Sequence, residues 1–383
     1  MQKRLRIIQI VNVRWFNATA WYGLSLASLL RGRGHDVLVI GLKNTESFEK
    51  AVSMGLEPRH LSLNTANPLR LPSLLLRMRS LIDDFRPHVV NCHRGEGMVF
   101  WGLLKNGRHP YALVRTRGDQ RPPKGNLPNR ILHTNMADAV IATNSRTANE
   151  CRTLFGLGPG RLFTIPGGVD TARFTRDPAG RRAARAAMGF AEDDLAVGLL
   201  GRFDAVKGQK ELIASLGRLM RRPEASAFAG RLRLMLMGFA TSLSIETVQG
   251  WLAGAGLERR AVITGRVDDV SACINAMDLG VVASQGSEAI ARAAFEIMAC
   301  EVPLVGTDVG VMPDLLAPHA LTPPGDEAAL DALLLRALGS EDFRLALAAE
   351  QRAAMPRFTQ NAFLDETLAV YDAALARLAR QPA

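Results

Sequence analysis

The chain has 383 residues, 48% of them hydrophobic and 22% charged, with a formal net charge of +10. That length can hold two domains with cores of their own, and ordinary apolar content with 34 glycines suits α/β folds, whose strands and helices meet in tight turns. Four scattered cysteines (Cys92, Cys151, Cys273, Cys300) without a C-x-x-C pair, and seven histidines without H-E-x-x-H spacing, speak against a disulfide framework and a zinc site.

Leu5 to Val13 reads as a buried strand, followed by a loop and a helix from about Ala20 that Gly32 and Gly34 terminate; Asp36 to Leu42 is a second strand. Leu74 to Phe85 has the pattern of a basic amphipathic helix, and Pro87 to Cys92 leads into a strand ending at His93. A histidine there is commonly a satisfied structural group, but an accessible imidazole can bond a ligand hydroxyl. Leu113 to Thr116 and Ala139 to Thr143 are further strands. Between them Arg115 to Lys124 reads R-T-R-G-D-Q-R-P-P-K, and its two prolines keep it out of a regular helix. An exposed cationic loop carrying Arg117, Arg121 and Lys124 suits an anionic acceptor or a membrane surface, or is simply solvated.

Leu162 to Pro166 completes a first domain, and the turn Gly167-Gly168 begins the crossing. After a helical segment from Arg173 to Ala187 come Leu195 to Leu200, Leu232 to Met237, Ala261 to Thr264, Leu279 to Ala283 and Val302 to Val305, the strands of a second domain. Strand-helix alternation of this kind implies parallel sheets with right-handed crossovers. A last amphipathic helix, Ala362 to Ala379, follows Pro356. The domains are therefore expected at residues 1–168 and 169–360, with 361–383 as a closing helix. G-L-G-P-G at Gly156 to Gly160 is not a dinucleotide fingerprint, because it follows a helix and contains proline.

No run of about 18 apolar residues occurs, and the basic start has no signal-type apolar segment after it, so a cytoplasmic location is expected. The charge is uneven: from Arg59 to Arg130 there are 13 Lys and Arg against four acids, which is +9 of the formal +10. Such a region attracts polyanions, among them anionic lipid and phosphorylated saccharides. Nucleic acid is disfavoured, because no helix-turn-helix, zinc-finger or RNA-binding signature accompanies the charge.

The stretch Ala283 to Asp308 concentrates the chemistry. An apolar run passes through Ser284-Gln285-Gly286-Ser287 into a helix that Ser287 is placed to cap, with Glu288 in its first turn and Glu296 about two turns deeper on nearly the same side. Both can look into one site. Alternatively, Glu288 complements the macrodipole and Glu296 pairs with Arg292 one turn back.

S-x-G-S-E, then seven residues and a second Glu, then M-A-C-x-V-P-L-V-G-T-D-V-G, resembles the E-x7-E signature of retaining GT-B glycosyltransferases of family 4. Gly201-Arg202-Phe203-Asp204-Ala205-Val206-Lys207-Gly208 is similar to that family's G-R-x4-K-G phosphate-binding turn, and Ile165 to Asp170 to its interdomain I-P-x-G-V-D. Two departures stand out: Asn17-Ala18-Thr19 replaces the glycine pair after the first strand, and Glu301 replaces the glycine after M-A-C.

The resemblance implies a GT-B architecture, two Rossmann-like domains with parallel sheets facing a central cleft, with the closing helix packed back on the first domain. It implies a retaining hexosyltransferase that moves a sugar from a nucleotide sugar, UDP or GDP, to an anionic glycan or glycolipid of lipopolysaccharide or surface polysaccharide synthesis. No resident cofactor and no metal are expected, since a D-x-D motif is missing and Arg202 and Lys207 can stabilise the leaving diphosphate. Glu296 would accept from the ribose, and Glu288 would touch the donor sugar with Gly201, Ser287 and the helix-start amides of Ala289 and Ile290. Arg266 and Val267 would lie by the base, with His93 at the chemistry and Thr19, Arg117, Arg121 and Lys124 toward the acceptor. A sugar-nucleotide 2-epimerase and a non-catalytic nucleotide-sugar sensor share the same outline.

Overall fold

The computed structural model describes residues 4–63, 68–119, 121–286 and 288–380. The chain divides into two compact units. One contains the residues up to Gly167 together with those from Gln360 onward, the other Gly168–Thr359.

In the first unit the strands are β1 (Arg6–Ile10), β2 (Asp36–Gly41), β3 (Arg59–His60), β4 (Val89–Cys92), β5 (Ala112–Arg117), β6 (Ala139–Ala142) and β7 (Leu162–Thr164). They form one parallel sheet in the order β3-β2-β1-β4-β5-β6-β7. β1 is shorter than its apolar run and ends at Ile10, with the Val11 amide making a last bond to Ile40 O at 2.8 Å. Asn17, standing where glycine was expected, caps that helix: its side chain accepts from the Ala20 amide at 3.1 Å.

Right-handed crossovers place connections that run in opposite directions along a sheet on opposite faces. The helix after β1 runs one way and packs Ala20, Leu24 and Ala27 with Val11 and Val39. The helices Leu71–Phe85, Met98–Leu104 and Ser145–Phe155 run the other way and share a second core containing Met78, Ile82, Trp101 and Phe155. No crossover covers β5 and β6 on the first of these faces. The closing helix, Gln360–Leu378, does so, contacting the helix Ala18–Gly32 as well as both strands.

Its Tyr371 is fully buried and receives Gln9 Nε2 at 2.8 Å and Asn91 Nδ2 at 2.9 Å. Gln9 and Asn91 are register partners on β1 and β4. Thr116 Oγ1 donates to Asn91 Oδ1 at 2.9 Å, so a buried polar chain ties the helix to three central strands.

In the second unit the strands are β8 (Leu195–Leu200), β9 (Leu232–Met237), β10 (Ala261–Ile263), β11 (Leu279–Val282), β12 (Leu304–Thr307) and β13 (Leu321–Thr322). Their parallel sheet runs β10-β9-β8-β11-β12-β13. The last expected strand thus begins at Leu304 rather than Val302, because Val302 completes the end of the preceding helix by donating to Ile297 O at 3.3 Å. The helix expected from Arg173 starts only at Pro178, where Asp177 caps it and proline takes the first position.

Strand order reverses between β8 and β11 in this unit and between β1 and β4 in the other. At such a reversal the loops beyond the carboxyl ends of the two strands diverge to opposite faces and leave a crevice, where doubly wound sheets bind ligands.

Candidate functional site

The loops after β8 and β11 meet at the reversal of the second unit. Beyond β8, the Gly201 amide donates to Met237 O at 2.9 Å, and Asp204 caps the single turn Ala205–Lys207. Gly208 follows at φ 76, and a Cβ there would stand 1.9 Å from the Ala283 carbonyl oxygen. Only glycine lets this turn rest on the end of β11.

Lys207 Nζ then reaches Glu288 Oε1 at 2.6 Å, and Ser284 Oγ donates to the same oxygen at 2.5 Å. Glu288 is buried at 6% exposure, while a quarter of the Lys207 side chain stays open to solvent. The Glu288 carbonyl accepts from the Val311 amide at 2.8 Å, over a Gly310 whose Cβ would fall 2.0 Å from that oxygen. Gln285 N to Val206 O at 2.8 Å straps the two loops together. Arg202 is the more accessible cation, 42% exposed at its side chain and 3.2 Å from Asp204. Its main-chain oxygen is held by Gln209 Nε2 at 2.8 Å. The cluster therefore offers two cations to an anion, and one of them is already shared with a buried carboxylate.

The helix that carries Glu296 spans Arg292–Ala299, with Ala291 at its N-cap. This corrects the expectation of a helix opening at Ser287. Glu288 lies in the loop, not in a first helical turn, and the Ala289 and Ile290 amides are not helix-start donors; Ile290 instead buries its side chain. Ser287 lies outside the described residues. The reason is tertiary: the Glu288 carboxylate is spent on Lys207 and Ser284, and its carbonyl on Val311.

Glu296 is 4% exposed and accepts from Arg292 Nε at 2.7 Å, the pairing one turn back that its spacing allows. Burial raises its carboxyl above the usual range, while Arg292 and, farther off, Arg173 act the other way. Beyond β10, Gly265 adopts φ 66, and the exposed Arg266 lays its guanidinium 3.8 Å over the Phe239 ring, with a half-buried Val267 beside it. Phe239 O in turn accepts from the Phe203 amide at 2.8 Å, which joins this turn to the Arg202 loop.

At the reversal of the first unit stands His93, and here the expectation of an accessible imidazole is corrected. The ring has 0% exposure, and its Nε2 lies 2.7 Å from Gln9 Oε1. As that oxygen only accepts, Nε2 carries the proton and Nδ1 is a buried lone pair without a partner in the structure. Burial, and secondarily Arg115, lower its pKa to about 3, so the ring is neutral.

Thr19 Oγ1 donates to Gly118 O at 3.0 Å, and Arg117 Nη2 to Arg121 O at 2.8 Å, which brings these expected acceptor residues to one loop. Arg117 itself is only 7% exposed and Arg115 1%, correcting the reading of a uniformly exposed loop. Both guanidiniums neutralise Asp119, and Arg115 also holds Cys92 O at 3.0 Å. Arg121 and Lys124 are exposed.

Two family sequence models match the chain: glycosyltransferase family 4 over residues 20–173, and glycosyl transferases group 1 over residues 194–340. The chain belongs to these glycosyltransferases.

A D-inositol 3-phosphate glycosyltransferase of Geodermatophilus obscurus is 26% identical over 73% of this glycosyltransferase and 67% of its own length. Across the first three relatives of that name, the chain spans 58 to 67% of their length. Among solved structures, Anabaena HepE in complex with UDP superposes with a TM-score of 0.82 at 18% identity, covering 96% of this chain and 100% of that one. The lipopolysaccharide outer core galactosyltransferase WaaB gives 0.72 at 14% identity, with 95% and 98% covered. These likenesses establish the GT-B fold expected from the sequence.

Sequence reasoning named Lys207, Arg202, Glu288 and Glu296 but missed Ser284, Gly310 and Phe239. Ser284 and Gly310 stood inside the quoted motifs without being singled out, whereas Phe239 carries no local signal, since only stacking reveals it.

Proposed function

We propose that this glycosyltransferase moves a sugar from a nucleoside diphosphate sugar, UDP foremost, to a hydroxyl of an anionic acceptor, with the anomeric configuration retained and without a metal. The observation that carries the reading is the pair of cations, Arg202 and Lys207, in one loop at the strand-order reversal of the second unit, Lys207 paired there with the buried Glu288. That HepE was solved with UDP supports the nucleotide. The phosphorylated inositol and lipopolysaccharide in the names of similar proteins, and the basic first half of the chain, support an anionic acceptor.

In this reading the bond from the anomeric carbon to the β-phosphate oxygen breaks and the electron pair leaves on that oxygen. Arg202 meets the diphosphate with a planar fork and Lys207 with a point charge, which stabilises the growing negative charge where it forms. The acceptor oxygen bonds the anomeric carbon on the face being vacated, and its proton passes to the departing phosphate. Glu288 positions Lys207 and accepts from the donor sugar, while Glu296 accepts from the ribose hydroxyls. Phe239 and Arg266 flank the base. Gly201 lets the phosphates approach the backbone, and Thr19, Arg121 and Lys124 face the acceptor.

Incubation with UDP-glucose and inositol 3-phosphate, or a phosphorylated lipopolysaccharide core, tests it. The expected result is UDP and an α-linked product from the α-configured donor, without added metal. A β-linkage, or isomerised donor without transfer, would overturn the reading.

A further inference from the structure

We propose that the second unit carries a further binding site, at the amino ends of β9 and β10, that takes a small sugar phosphate. The site stands apart from the transfer reaction, because it lies at the opposite end of the sheet from the Lys207 cluster.

The helix Ile245–Ala255 closes on Gly256 at φ 70, and the Leu257 amide donates back to Leu252 O at 2.8 Å. That turn delivers Glu258, Arg259 and Arg260 to the start of the edge strand β10, beside Arg233 on β9. A cavity of about 440 Å³ opens there, lined by Gly230, Arg233, Gly256, Glu258, Arg259 and Arg260. Arg260 is fixed in it, since its Nη1 donates to Ala229 O at 2.7 Å and to Gly230 O at 3.1 Å, closing the short helix Ser226–Ala229.

The charges of this cavity are only partly compensated. Arg233 meets the buried Asp194 at 3.0 Å, but Arg259 and Arg260 form no ion pair among the described residues. Glu258 shares the cavity with three guanidiniums and pairs with none of them. Guanidinium forks beside a hollow and without a carboxylate match the oxygens of a phosphate. The hollow is also kept open. Gly230 has φ −61 and ψ −35, a conformation that any residue adopts, and a Cβ there would meet no atom within 4 Å. Backbone geometry does not call for this glycine; its missing side chain leaves the cavity free.

The volume lies in the range of small-molecule sites and exceeds what a bare phosphate fills. The lining has no aromatic side chain on which a nucleobase could stack, while the exposed Glu258 can accept from hydroxyls. A phosphate on the arginines with a polyol on Glu258 is a sugar phosphate. β9 rises about 20 Å from this cavity to the loops beyond Met237, so such a ligand and a nucleotide at the Lys207 cluster do not exclude each other.

Glucose 6-phosphate is titrated calorimetrically into the full chain, with and without saturating UDP, alongside glucose and inorganic phosphate. The expected result is binding of glucose 6-phosphate that UDP does not displace, binding of inorganic phosphate weaker by about tenfold, and none of glucose. Arg259→Glu should weaken glucose 6-phosphate by about tenfold or more, because a repulsion replaces a charged hydrogen bond, and Gly230→Phe should do the same by filling the cavity. Arg259 is exposed and unpaired and Gly230 faces open space, so both variants fold, with melting temperatures and UDP titrations like those of the wild type. No binding of glucose 6-phosphate, unchanged binding in either variant, equal affinity for inorganic phosphate, or displacement by UDP overturns the proposal. Failure of UDP alone to bind would count against the Lys207 site and leave this one to the two variants.

Discussion

Lys207 carries the largest single charge effect in the account. Glu288 is buried against it, and Ser284 supplies the only other side-chain contact described at that oxygen, so Lys207→Ala removes a cation both from the bound diphosphate and from a desolvated carboxylate. Charge-assisted bonds of this kind contribute about 1.5 to 3 kcal/mol, and steady-state kinetics should show turnover lower by about tenfold to a hundredfold. Glu296 gives a pH signature. Its folded-state pKa lies above its ordinary value of 4.5, so the native state holds the proton more tightly than the unfolded chain does. The contribution of this group to stability is then full below the ordinary value, declines as pH rises to the folded pKa, and is level beyond it. Thermal melts at stepped pH should show that decline flattened in Glu296→Gln. Arg292→Ala should extend it to higher pH, since Arg292 is the main group pulling the pKa back.

Among the elements, the helix Arg292–Ala299 ends in a way that its sequence makes costly. Glu301 sits at φ 59 just past the end, with its amide on Met298 O at 3.0 Å and the Val302 amide on Ile297 O at 3.3 Å, a Schellman closure that ordinarily takes glycine. The Glu301 contact with Arg352, 3.5 Å long and largely solvated, offsets little. Glu301→Gly should therefore raise unfolding free energy by about 0.5 to 1 kcal/mol in denaturant titration. The closing helix gives the opposite case: Tyr371→Phe leaves the Gln9 and Asn91 donors without their acceptor and should cost about 1 to 3 kcal/mol. His93 adds a pH dependence of its own. Its pKa is depressed to about 3 by burial, so its contribution is present above the ordinary 6.5 and is lost as pH falls through that window. Most strands were legible as apolar runs, and the motif cations were legible because phosphate binding fixes their spacing. The start of the Glu296 helix was not, because Ser287-Glu288 has the form of a cap while Glu288 is spoken for by a lysine 81 positions away. Arg115 and Arg117 looked like loop cations for a similar reason: what buries them is Asp119 and backbone oxygens, which no local period announces.

For the whole molecule, two parallel sheets with the same reversal of strand order give two crevices of different character. The reversal of the second unit holds Arg202, Lys207 and Glu288, and Glu296 stands on the helix that follows. That of the first holds the neutral, enclosed His93, on the basic half of the chain. On the proposed function, the crevice of the second unit is a nucleoside diphosphate site closed by its own cations and carboxylates. A calorimetric titration of UDP, GDP and ADP, with and without magnesium, on the wild type and on Glu296→Ala, tests it most directly. UDP should bind without magnesium, and the substitution should weaken it by about tenfold, the loss of a charged hydrogen-bond acceptor to the ribose. If no nucleotide binds, or if Glu296→Ala binds as tightly as the wild type, the site is wrongly assigned and the spacing of Glu288 and Glu296 is structural alone.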